Sequence, residues 1–388
     1  MTNSFISLGD AISFRGGGTP RKDVPEYWSD EIPWATVKDF KSLELSTTQD
    51  RISRKGLESS AANLIPAGHV VIPTRMALGK AAINTIDLAI NQDLRALVPK
   101  VPIDSKYLLH SMLGLAETIQ RYGSGATVKG ITQKKLANLQ IPLPPLPEQK
   151  RIAAILDAAD ALRAKRRESL EQLDTLLQST FLEMFGDPVT NPMGWDVRDL
   201  FDVCEKITDG THHSPPICEK GIPYVTAKHL KKDGLKFFDN PWFVSPEKHA
   251  EIFARCNPEL GDVLYIKDGA TTGIAAINRY DFEFSMLSSL ALLKPSNETL
   301  TSEYLTWYLN DERNKSHLID NMGGAAIKRL TLAKIKKFRV PIPPIGLQQR
   351  FATIVEAIEQ QKARYHSHLA ELDTLFASLQ SRAFNGEL

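Results

Sequence analysis

Two long segments of the chain place an apolar side chain at nearly every third or fourth residue. This spacing puts the apolar side chains on one face of an α-helix, so it predicts two amphipathic helices. Each would be about 38 residues long, or about 55 Å at about 1.5 Å per residue, more than a small domain can bury on all sides. We therefore predict that the two helices pack together as an antiparallel coiled coil. The predicted contact positions are Ile152, Ile155, Leu162, Leu170, Leu173 and Leu177 in the first helix and Phe351, Ile354, Ile358, Leu369, Leu372 and Phe376 in the second.

A proline-rich segment precedes each predicted helix, at residues 141–147 and 340–344. Proline lacks an amide donor and restricts the residue before it, so these segments are predicted to be extended. Pro147 suits the first turn of the first helix, and Gly186 marks its end. In the second segment Gly346 stands in the place of Pro147, which leaves the first residue of the second helix open.

The two helical segments are copies of each other, because residues 141–185 align without gaps to residues 340–384. Identical pairs include Gln149 with Gln348 and the Leu-Asp-Thr-Leu sequence that starts at Leu173 and again at Leu372. Fainter similarity extends upstream, so the whole chain is predicted to be an internal duplication. Its predicted parts are a first variable domain (1–140), a junction and helix (141–187), a second variable domain (188–339) and a second junction and helix (340–388).

Short apolar runs of β type, such as residues 69–72 and 262–266, alternate in the variable domains with loops rich in glycine, proline and threonine. A helix is expected near Tyr107 in the first domain and near Tyr304 in the second. The predicted fold class is α+β, with two small domains that are each followed by a long helix.

Composition narrows the class of protein. The 388 residues suffice for two domains. A membrane helix needs about 18 uninterrupted apolar residues, and no segment approaches that length. The first residues lack the basic start and apolar core of a signal peptide, so we expect a cytoplasmic protein without a membrane partner. Three cysteines argue against a disulfide framework. A net charge of +1 neither demands nor excludes a nucleic-acid partner, since only the charge of the docking face matters.

No catalytic constellation is recognisable in the sequence. Residues 125–131 resemble a phosphate-binding loop, but Ile131 stands where lysine should follow the second glycine. Residues 191–194 lack the second proline and the aromatic residue of a tetrapeptide that holds a flipped adenine. We therefore expect no catalytic residue, no metal ligand and no cofactor bound by this chain. The only group resembling zinc ligands, whose spacing matches no familiar pattern, is Cys204, His212, His213 and Cys218.

Each variable domain has a loop that combines glycine with cationic and hydroxyl side chains. Glycine permits close backbone approach, and Arg, Lys, Thr and His donate hydrogen bonds to phosphates or base edges. The parallel placement favours DNA binding for the loops as a group, while ordinary turn chemistry remains the alternative for any single residue. The loop candidates are Arg15, Thr19, Arg21 and Lys22 in the first domain and Thr211, His212 and His213 in the second. Weaker candidates are Lys38, Arg75, Lys80, Lys228, His229 and Lys267.

Basic residues also recur where each variable domain meets its helix. Lys129 and Lys328 each lie shortly after a Gly-Ala pair, and Arg329 follows Lys328. The next lysines, Lys134 and Lys334, form a second pair. Repetition of the same chemistry in both domains predicts contacts to DNA phosphates, which set position rather than sequence preference.

Over essentially its whole length the chain resembles the specificity subunits of type I restriction-modification systems. The duplicated proline-rich entry and long helix carry most of the similarity. The matching motifs are residues 149–153 and 348–352 at the helix starts, 17–20 and 32–34 in the first domain, and 209–212 and 222–224 in the second.

The resemblance implies a non-catalytic subunit whose two domains each read one half of an interrupted, asymmetric site in double-stranded DNA. It also implies that the helices act as a spacer and that two methyltransferase subunits, which bind S-adenosylmethionine and methylate adenine, dock on the helical region. Restriction subunits with motor and nuclease activity complete such assemblies. The alternative from another class is a stand-alone DNA-binding or scaffolding protein that self-associates through its coiled coil, and a third is a fused endonuclease remnant.

Overall fold

The computed structural model describes residues 5–125, 128–320 and 330–388. The chain divides into two compact units: unit 1 joins Met1–Glu168 to His366–Leu388, and unit 2 is Ser169–Tyr365. Each unit therefore contains one variable domain together with parts of both long helices. The mixture of helices and strands confirms the predicted mixed fold class.

Unit 1 consists of short strands and helices around an apolar core. Its main sheets have the strand orders β2-β10-β7-β8-β4 and β5-β3-β9-β6, and β1 pairs with β11. The strands are β1 (Phe5–Ser7), β2 (Ile12–Gly16), β3 (Ile32–Ala35), β4 (Glu44–Leu45), β5 (Asp50–Ile52), β6 (Asn63–Ile65), β7 (Val70–Pro73), β8 (Ala82–Asn84), β9 (Leu88–Ile90), β10 (Leu94–Pro99) and β11 (Gln140–Pro142). The helices are α1 (Leu8–Ala11), α2 (Arg54–Glu58), α3 (Ser105–Gly114), α4 (Ala116–Tyr122) and α5 (Gln133–Ala137), with 3-10 turns at Pro25–Tyr27 and Val37–Asp39.

The two long helices are α6 (Leu146–Phe185) and α12 (Ile345–Asn385), of 40 and 41 residues. The second helix starts at the position equivalent to the start of the first, so Gly346 lies inside its first turn. A buried glutamine three residues into each helix, Gln149 or Gln348, bonds the proline-rich junction before it. Among the described residues, no helix has the apolar run that a bilayer crossing requires.

Unit 2 resembles unit 1, although its two larger sheets have four and three strands instead of five and four. Its sheets are β13-β21-β18-β19, β17-β14-β20 and β15-β16, and β12 pairs with β22 as β1 pairs with β11. The strands are β12 (Asp196–Asp199), β13 (Cys204–Asp209), β14 (Ile222–Val225), β15 (Leu230–Lys231), β16 (Gly234–Leu235), β17 (Phe243–Val244), β18 (Val263–Ile266), β19 (Ala275–Ile277), β20 (Ser285–Met286), β21 (Leu290–Pro295) and β22 (Arg339–Ile342). The helices are α7 (Leu200–Val203), α8 (Pro246–Phe253), α9 (Ser302–Asn310), α10 (Glu312–Asp320) and α11 (Leu332–Lys336), with 3-10 turns at Ala227–His229 and Phe237–Asp239.

The elements predicted within the variable domains are present. Strands β7 and β18 coincide with the predicted β runs to within a residue, and all four residues of each are buried because helices and neighbouring strands cover both faces. Helices α3 and α9 contain Tyr107 and Tyr304, as predicted. Each begins at a polar cap: Asp104 accepts the Tyr107 N–H (3.0 Å) and Thr301 the Tyr304 N–H (3.2 Å).

Within each unit, a segment of α6 contacts a segment of α12. In unit 1, Arg163 Nε lies 2.6 Å from Asp373 Oδ1. In unit 2, Lys362 Nζ lies 2.8 Å from Asp174 Oδ1. The sequence repeat makes Arg163 equivalent to Lys362 and Asp174 equivalent to Asp373, so the same ion pair occurs twice with the roles of the two copies exchanged.

Most predicted helix-contact residues are at least partly covered. The buried ones are Ile152, Leu170, Leu177 and Phe351, and the half-buried ones are Ile155, Leu173, Ile354, Ile358, Leu369, Leu372 and Phe376. The prediction for Leu162 is wrong, because this side chain is 53% exposed. Its neighbour Arg163 faces α12 at this level, with its guanidinium 4.4 Å from the centre of the Phe376 ring.

Candidate nucleic-acid interface

The glycine-rich loop of unit 1 packs closely against β9. A Cβ atom on Gly17 would lie 1.9 Å from the carbonyl oxygen of Ile90, so no larger residue fits without a shift. Gly18 donates its N–H to the same oxygen at 3.0 Å, and its own carbonyl accepts from Trp34 Nε1 at 3.0 Å. These two glycines therefore let the loop close on the strand.

Unit 2 builds its loop in the same way. A Cβ atom on Gly210 would lie 2.0 Å from the carbonyl oxygen of Met286, and Thr211 donates its N–H to that oxygen at 2.8 Å. Ile90 and Met286 are equivalent, since each lies in the strand that pairs in parallel with β3 or β14. The two loops paired in the sequence thus occupy equivalent places in the two units.

The first loop presents cationic side chains at the surface. Arg21 donates to Asp23 at 2.7 Å, and this guanidinium holds the pKa of the Asp23 carboxyl below its usual value. Thr19 is half-buried and its hydroxyl donates to Gln92. The exposed candidates of this loop are Arg15, Arg21 and Lys22.

Arg75 and Lys129 come together although they are distant in sequence. Met76 donates its N–H to the Lys129 carbonyl at 3.1 Å, and Arg75 forms an isolated bridge with Gly130. Both cationic side chains are exposed. Arg75 Nη1 lies 3.6 Å from Oδ1 of Asp93, a buried carboxylate. The structure thus brings Arg75 and Lys129 close together, although no sequence motif links them.

The other unit 1 candidates lie on separate elements. Lys38 is exposed in the 3-10 turn Val37–Asp39, and Lys134 is exposed in α5. Lys80 is also exposed, although its ammonium donates to the Phe40 carbonyl at 3.0 Å.

The unit 2 candidates divide between the second loop and its surroundings. His212 and His213 are exposed, and Thr211 is half-buried with its hydroxyl donating to the His213 carbonyl at 3.0 Å. The Lys228 ammonium lies 4.5 Å from the centre of the Trp242 ring, a cation–π distance. Lys334 is exposed in α11.

His229 is not a surface contact, contrary to the prediction. Only 1% of it is exposed, because its ring completes the cap of a 3-10 turn. Nδ1 accepts the Thr226 N–H at 3.0 Å, and Nε2 donates to the Asn240 carbonyl at 2.8 Å. Burial lowers the pKa of His229, so the ring is neutral at neutral pH and offers no charge to a phosphate.

Lys267 is also buried, with 3% of its side chain exposed, so the prediction of a direct DNA contact is wrong for this residue. Its ammonium lies 2.9 Å from Asp268 Oδ2 and 3.5 Å from Asp209 Oδ2. Buried charges are stable only when paired, and Lys267 is paired twice.

The structure corrects the predicted pairing of the junction lysines between the two domains. Thr132 accepts the N–H of Lys135, and Thr331 accepts the N–H of Lys334, both at 3.3 Å. Lys334 is therefore equivalent to Lys135 rather than to Lys134. Lys328 and Arg329 lie outside the described residues.

A further cationic residue, Arg255, lies beside the second loop and was not predicted from the sequence. Arg255, just after α8, donates through Nη2 to the carboxylate of Asp209 at 3.1 Å and to the Asp209 carbonyl at 3.0 Å. Its side chain is 53% exposed, beside the second loop. No motif marks it, because it is brought to the loop from 46 residues away in sequence.

Two described groups outside the loops, at His249 and at Cys256, contain residue types used in catalysis, but both are buried. His249 lies 3.0 Å from Ser285 Oγ and 3.3 Å from Glu283, but Ser285 is fully buried and cannot reach a substrate. Burial raises the pKa of the Cys256 thiol to about 12, so this thiol is protonated and unreactive. Within residues 5–125, 128–320 and 330–388, no three His, Cys, Asp or Glu side chains are grouped as metal ligands.

The family model described as the type I restriction modification DNA specificity domain matches the chain twice, at residues 2–172 and 192–372. These matches cover most of both halves of the duplication. The chain therefore belongs to the family of type I restriction-modification DNA specificity proteins. Specificity subunits are the DNA-recognition components of their complexes and are not the catalytic ones.

Curated relatives agree over different parts of the chain. The type I restriction enzyme MjaIX specificity subunit of Methanocaldococcus jannaschii is 24% identical over 395 residues, covering 96% of this chain and 90% of the relative. The EcoR124I/EcoR124II specificity subunit of Escherichia coli is 33% identical over 182 residues, covering 45% of each chain.

Solved structures share the fold. The S subunit of a type I restriction-modification system from M. genitalium aligns with a TM-score of 0.59 and 15% identity, covering 99% of this chain and 96% of the other. A chain solved in work on complex assembly and conformational transition of the type I system gives 0.60 and 20% identity, covering 99% and 98%.

Proposed function

We propose that this chain reads an interrupted, asymmetric site in double-stranded DNA, with each variable domain reading one half. The observation that carries this proposal is the pair of equivalent loops in two equivalent units. Gly17 and Gly210 keep the loop backbone close to its strand in both units, whereas the side chains around them differ. The same loop backbone with different side chains suits two half-sites of different sequence.

The proposal extends to the long helices, which pack as an antiparallel coiled coil and space the two reading domains. Support comes from the exchanged ion pairs, Arg163 with Asp373 and Lys362 with Asp174. In a two-fold arrangement, residue i contacts j and the equivalent of j contacts the equivalent of i. The parts of α6 and α12 within each unit follow this rule.

The chain positions catalytic partners and performs no chemistry itself. Two methyltransferase subunits, which bind S-adenosylmethionine and methylate adenine, dock on the helical region, and restriction subunits join the same assembly. The stand-alone scaffold is the weaker candidate, since the match to one specificity subunit covers 96% of the chain.

The proposal is tested by co-expressing the chain with its cognate methyltransferase and mapping methylated adenines across the host DNA. The expected result is one asymmetric motif with two specified halves and an unspecified gap, absent when either subunit is expressed alone. A continuous motif, or methylation by the isolated chain, would contradict the proposal.

A further inference from the structure

A buried carboxylate lies beneath the loop of unit 2. Asp209 ends β13, and only 4% of its side chain is exposed. An isolated buried carboxylate is strongly unfavourable, so its neighbours must supply positive charge and hydrogen bonds. The contacts of Asp209 therefore show what this carboxylate holds in place.

Three cationic or titratable side chains surround Asp209. Lys267 Nζ lies 3.5 Å from Oδ2, Arg255 Nη2 lies 3.1 Å from Oδ1, and His212 Nε2 lies 3.4 Å from Oδ1. Arg255 Nη2 also donates to the backbone carbonyls of Asp209 and Gly210. The guanidinium is thus tied to both the side chain and the backbone of the loop.

The members of this group differ sharply in exposure. Asp209 and Lys267 are buried, whereas the side chains of Arg255 and His212 are 53% and 49% exposed. The carboxylate therefore anchors from below two side chains that reach the surface. An arginine already fixed in place loses less conformational freedom when it binds a ligand.

The equivalent described positions of unit 1 carry no such group, although their backbone makes the equivalent hydrogen bonds. Gly16 precedes Gly17 as Asp209 precedes Gly210, so glycine stands in the place of the carboxylate. Thr74 stands in the place of Lys267, since their carbonyls accept the equivalent N–H groups of Ile131 and Leu330 at 2.9 Å. The fold therefore does not require this group of side chains. A function specific to the second domain explains its presence there.

We propose that Arg255 reads a guanine edge in the second half-site and that Asp209 is its positioning residue. This inference rests on the proposed DNA-reading function. Arginine is the side chain most often used to bind guanine O6 and N7. A phosphate contact is disfavoured, because a carboxylate behind the guanidinium weakens its attraction for a phosphate while improving the geometry needed at a base edge.

The first test uses R255A and R255K in the full chain bound to its methyltransferase, with methylated sites mapped by sequencing. Both substitutions are expected to reduce the preference for guanine at one position of the second half-site about ten- to hundredfold. Lysine is expected not to rescue, because a single ammonium cannot keep the contacts of Arg255 Nη2 to Asp209 and Gly210 and also offer a second donor nitrogen to the base. The first half-site stays unchanged, and so does the whole motif in the control R279A, which alters a 64% exposed arginine of the same unit.

Two results would overturn the inference. Unchanged base preference in R255A would show that Arg255 does not read sequence, while the wild-type motif still supported the proposed function. An equal loss on all DNA sequences, rescued by R255K, would make Arg255 a phosphate contact. A wild-type complex without a two-part motif would instead remove the proposed function itself.

D209N tests the positioning role, because it keeps the shape of Asp209 and removes its charge. Preference in the second half-site is expected to fall as in R255A, while binding to unrelated DNA holds or rises because one negative charge is lost. Loss of both kinds of binding in a folded D209N protein would overturn the positioning role. If D209N does not fold, R255A and R255K decide on Arg255, whose half-exposed side chain is safe to change.

Discussion

The two units share the hydrogen bonds that join the variable domain to its helix, and they differ in the side chains at their loops. In both, a helix tyrosine donates to a proline carbonyl of the junction: Tyr107 to Pro142 at 2.8 Å and Tyr304 to Pro341 at 2.9 Å. In contrast, the loop of unit 1 has Gly16 where unit 2 has the buried Asp209. Duplication has thus preserved contacts that join domain to helix and allowed the proposed reading surface to diverge.

Both units also preserve the hydrogen bonds of a buried glutamine, Gln149 in unit 1 and Gln348 in unit 2. Gln149 Oε1 accepts the Asp104 N–H at 2.9 Å, and Gln348 Oε1 accepts the Thr301 N–H at 2.9 Å. Each amide nitrogen donates to a junction proline carbonyl, at 2.9 and 2.8 Å. Because proline segments leave carbonyls without a regular partner, the glutamines satisfy groups that would otherwise be buried alone.

The largest effect is expected from removing the second variable domain together with α12. A fragment of residues 1–186 keeps the first reading domain and all of α6, and its second copy can supply Phe185 where Phe384 now lies 5.9 Å from Tyr107. We expect the fragment to dimerise and, with the methyltransferase, to modify an interrupted palindrome built from the first half-site. Light scattering and methylation mapping measure both steps.

A fragment of residues 1–168 is the matched control for this experiment. It lacks the second half of α6, which must stand in for the missing part of α12, so it should not dimerise. A well-folded monomer of residues 1–186, or modification of the original asymmetric site only, would show that the two-fold interpretation is wrong.

The next largest effect is expected at the buried glutamines. Gln149→Leu and Gln348→Leu should each lower the free energy of unfolding by about 3 kcal/mol, because a buried N–H and buried carbonyls lose their partner. Hydrogen exchange should show faster opening mainly in unit 1 for the first variant and in unit 2 for the second. The exposed neighbour Gln349→Leu serves as control, and equal effects on both units from either variant would contradict the matched roles.

A smaller effect is expected for the junction lysine of unit 1. Lys129→Ala should weaken binding to all DNA sequences alike and lower the slope of log affinity against log salt by about 0.9, the value for one phosphate contact. Titrations at several salt concentrations measure this slope. Lys106→Ala is the control, because Lys106 pairs with Asp157 of α6 at 2.6 Å. An unaltered slope for Lys129→Ala would remove the phosphate contact.

The smallest effect is expected for the exchanged ion pairs. A double-mutant cycle with Arg163→Met and Asp373→Asn should give a coupling of about 0.5 kcal/mol, since Asp373 is 45% exposed. The cycle of Lys362→Met with Asp174→Asn should give a similar value in thermal unfolding. Coupling in one cycle and none in the other would break the equivalence of the two pairs.

Periodicity was sufficient to predict the long helices, because an apolar stripe of about ten turns leaves few alternatives. It was less reliable within the stripe. A contact interval of 3.5 residues drifts against the 3.6 residues of a helical turn, so Leu162 was assigned to a face that Arg163 occupies. The position equivalent to Leu162 holds Gln361, which is a sequence signal against an apolar contact there.

The loop candidates were harder to predict because burial depends on tertiary structure. His229 caps a turn as Asp39 does in unit 1, where the carboxylate accepts the Thr36 N–H at 2.7 Å. Both residues lie at the same distance from the preceding Ile-Pro-aromatic segment, so the sequence repeat held this information. Arg255 had no such signal, since only folding brings α8 beside the loop.

The division of the chain into units has a consequence for its synthesis on the ribosome. Unit 2 is continuous in sequence, whereas unit 1 needs His366–Leu388, which emerge after unit 2. At about 5–20 residues per second, the intervening segment takes about 10–40 s to translate. During that time the early part of α6 has its apolar stripe exposed. The half of the protein whose synthesis begins first is therefore completed only after the other half has been translated.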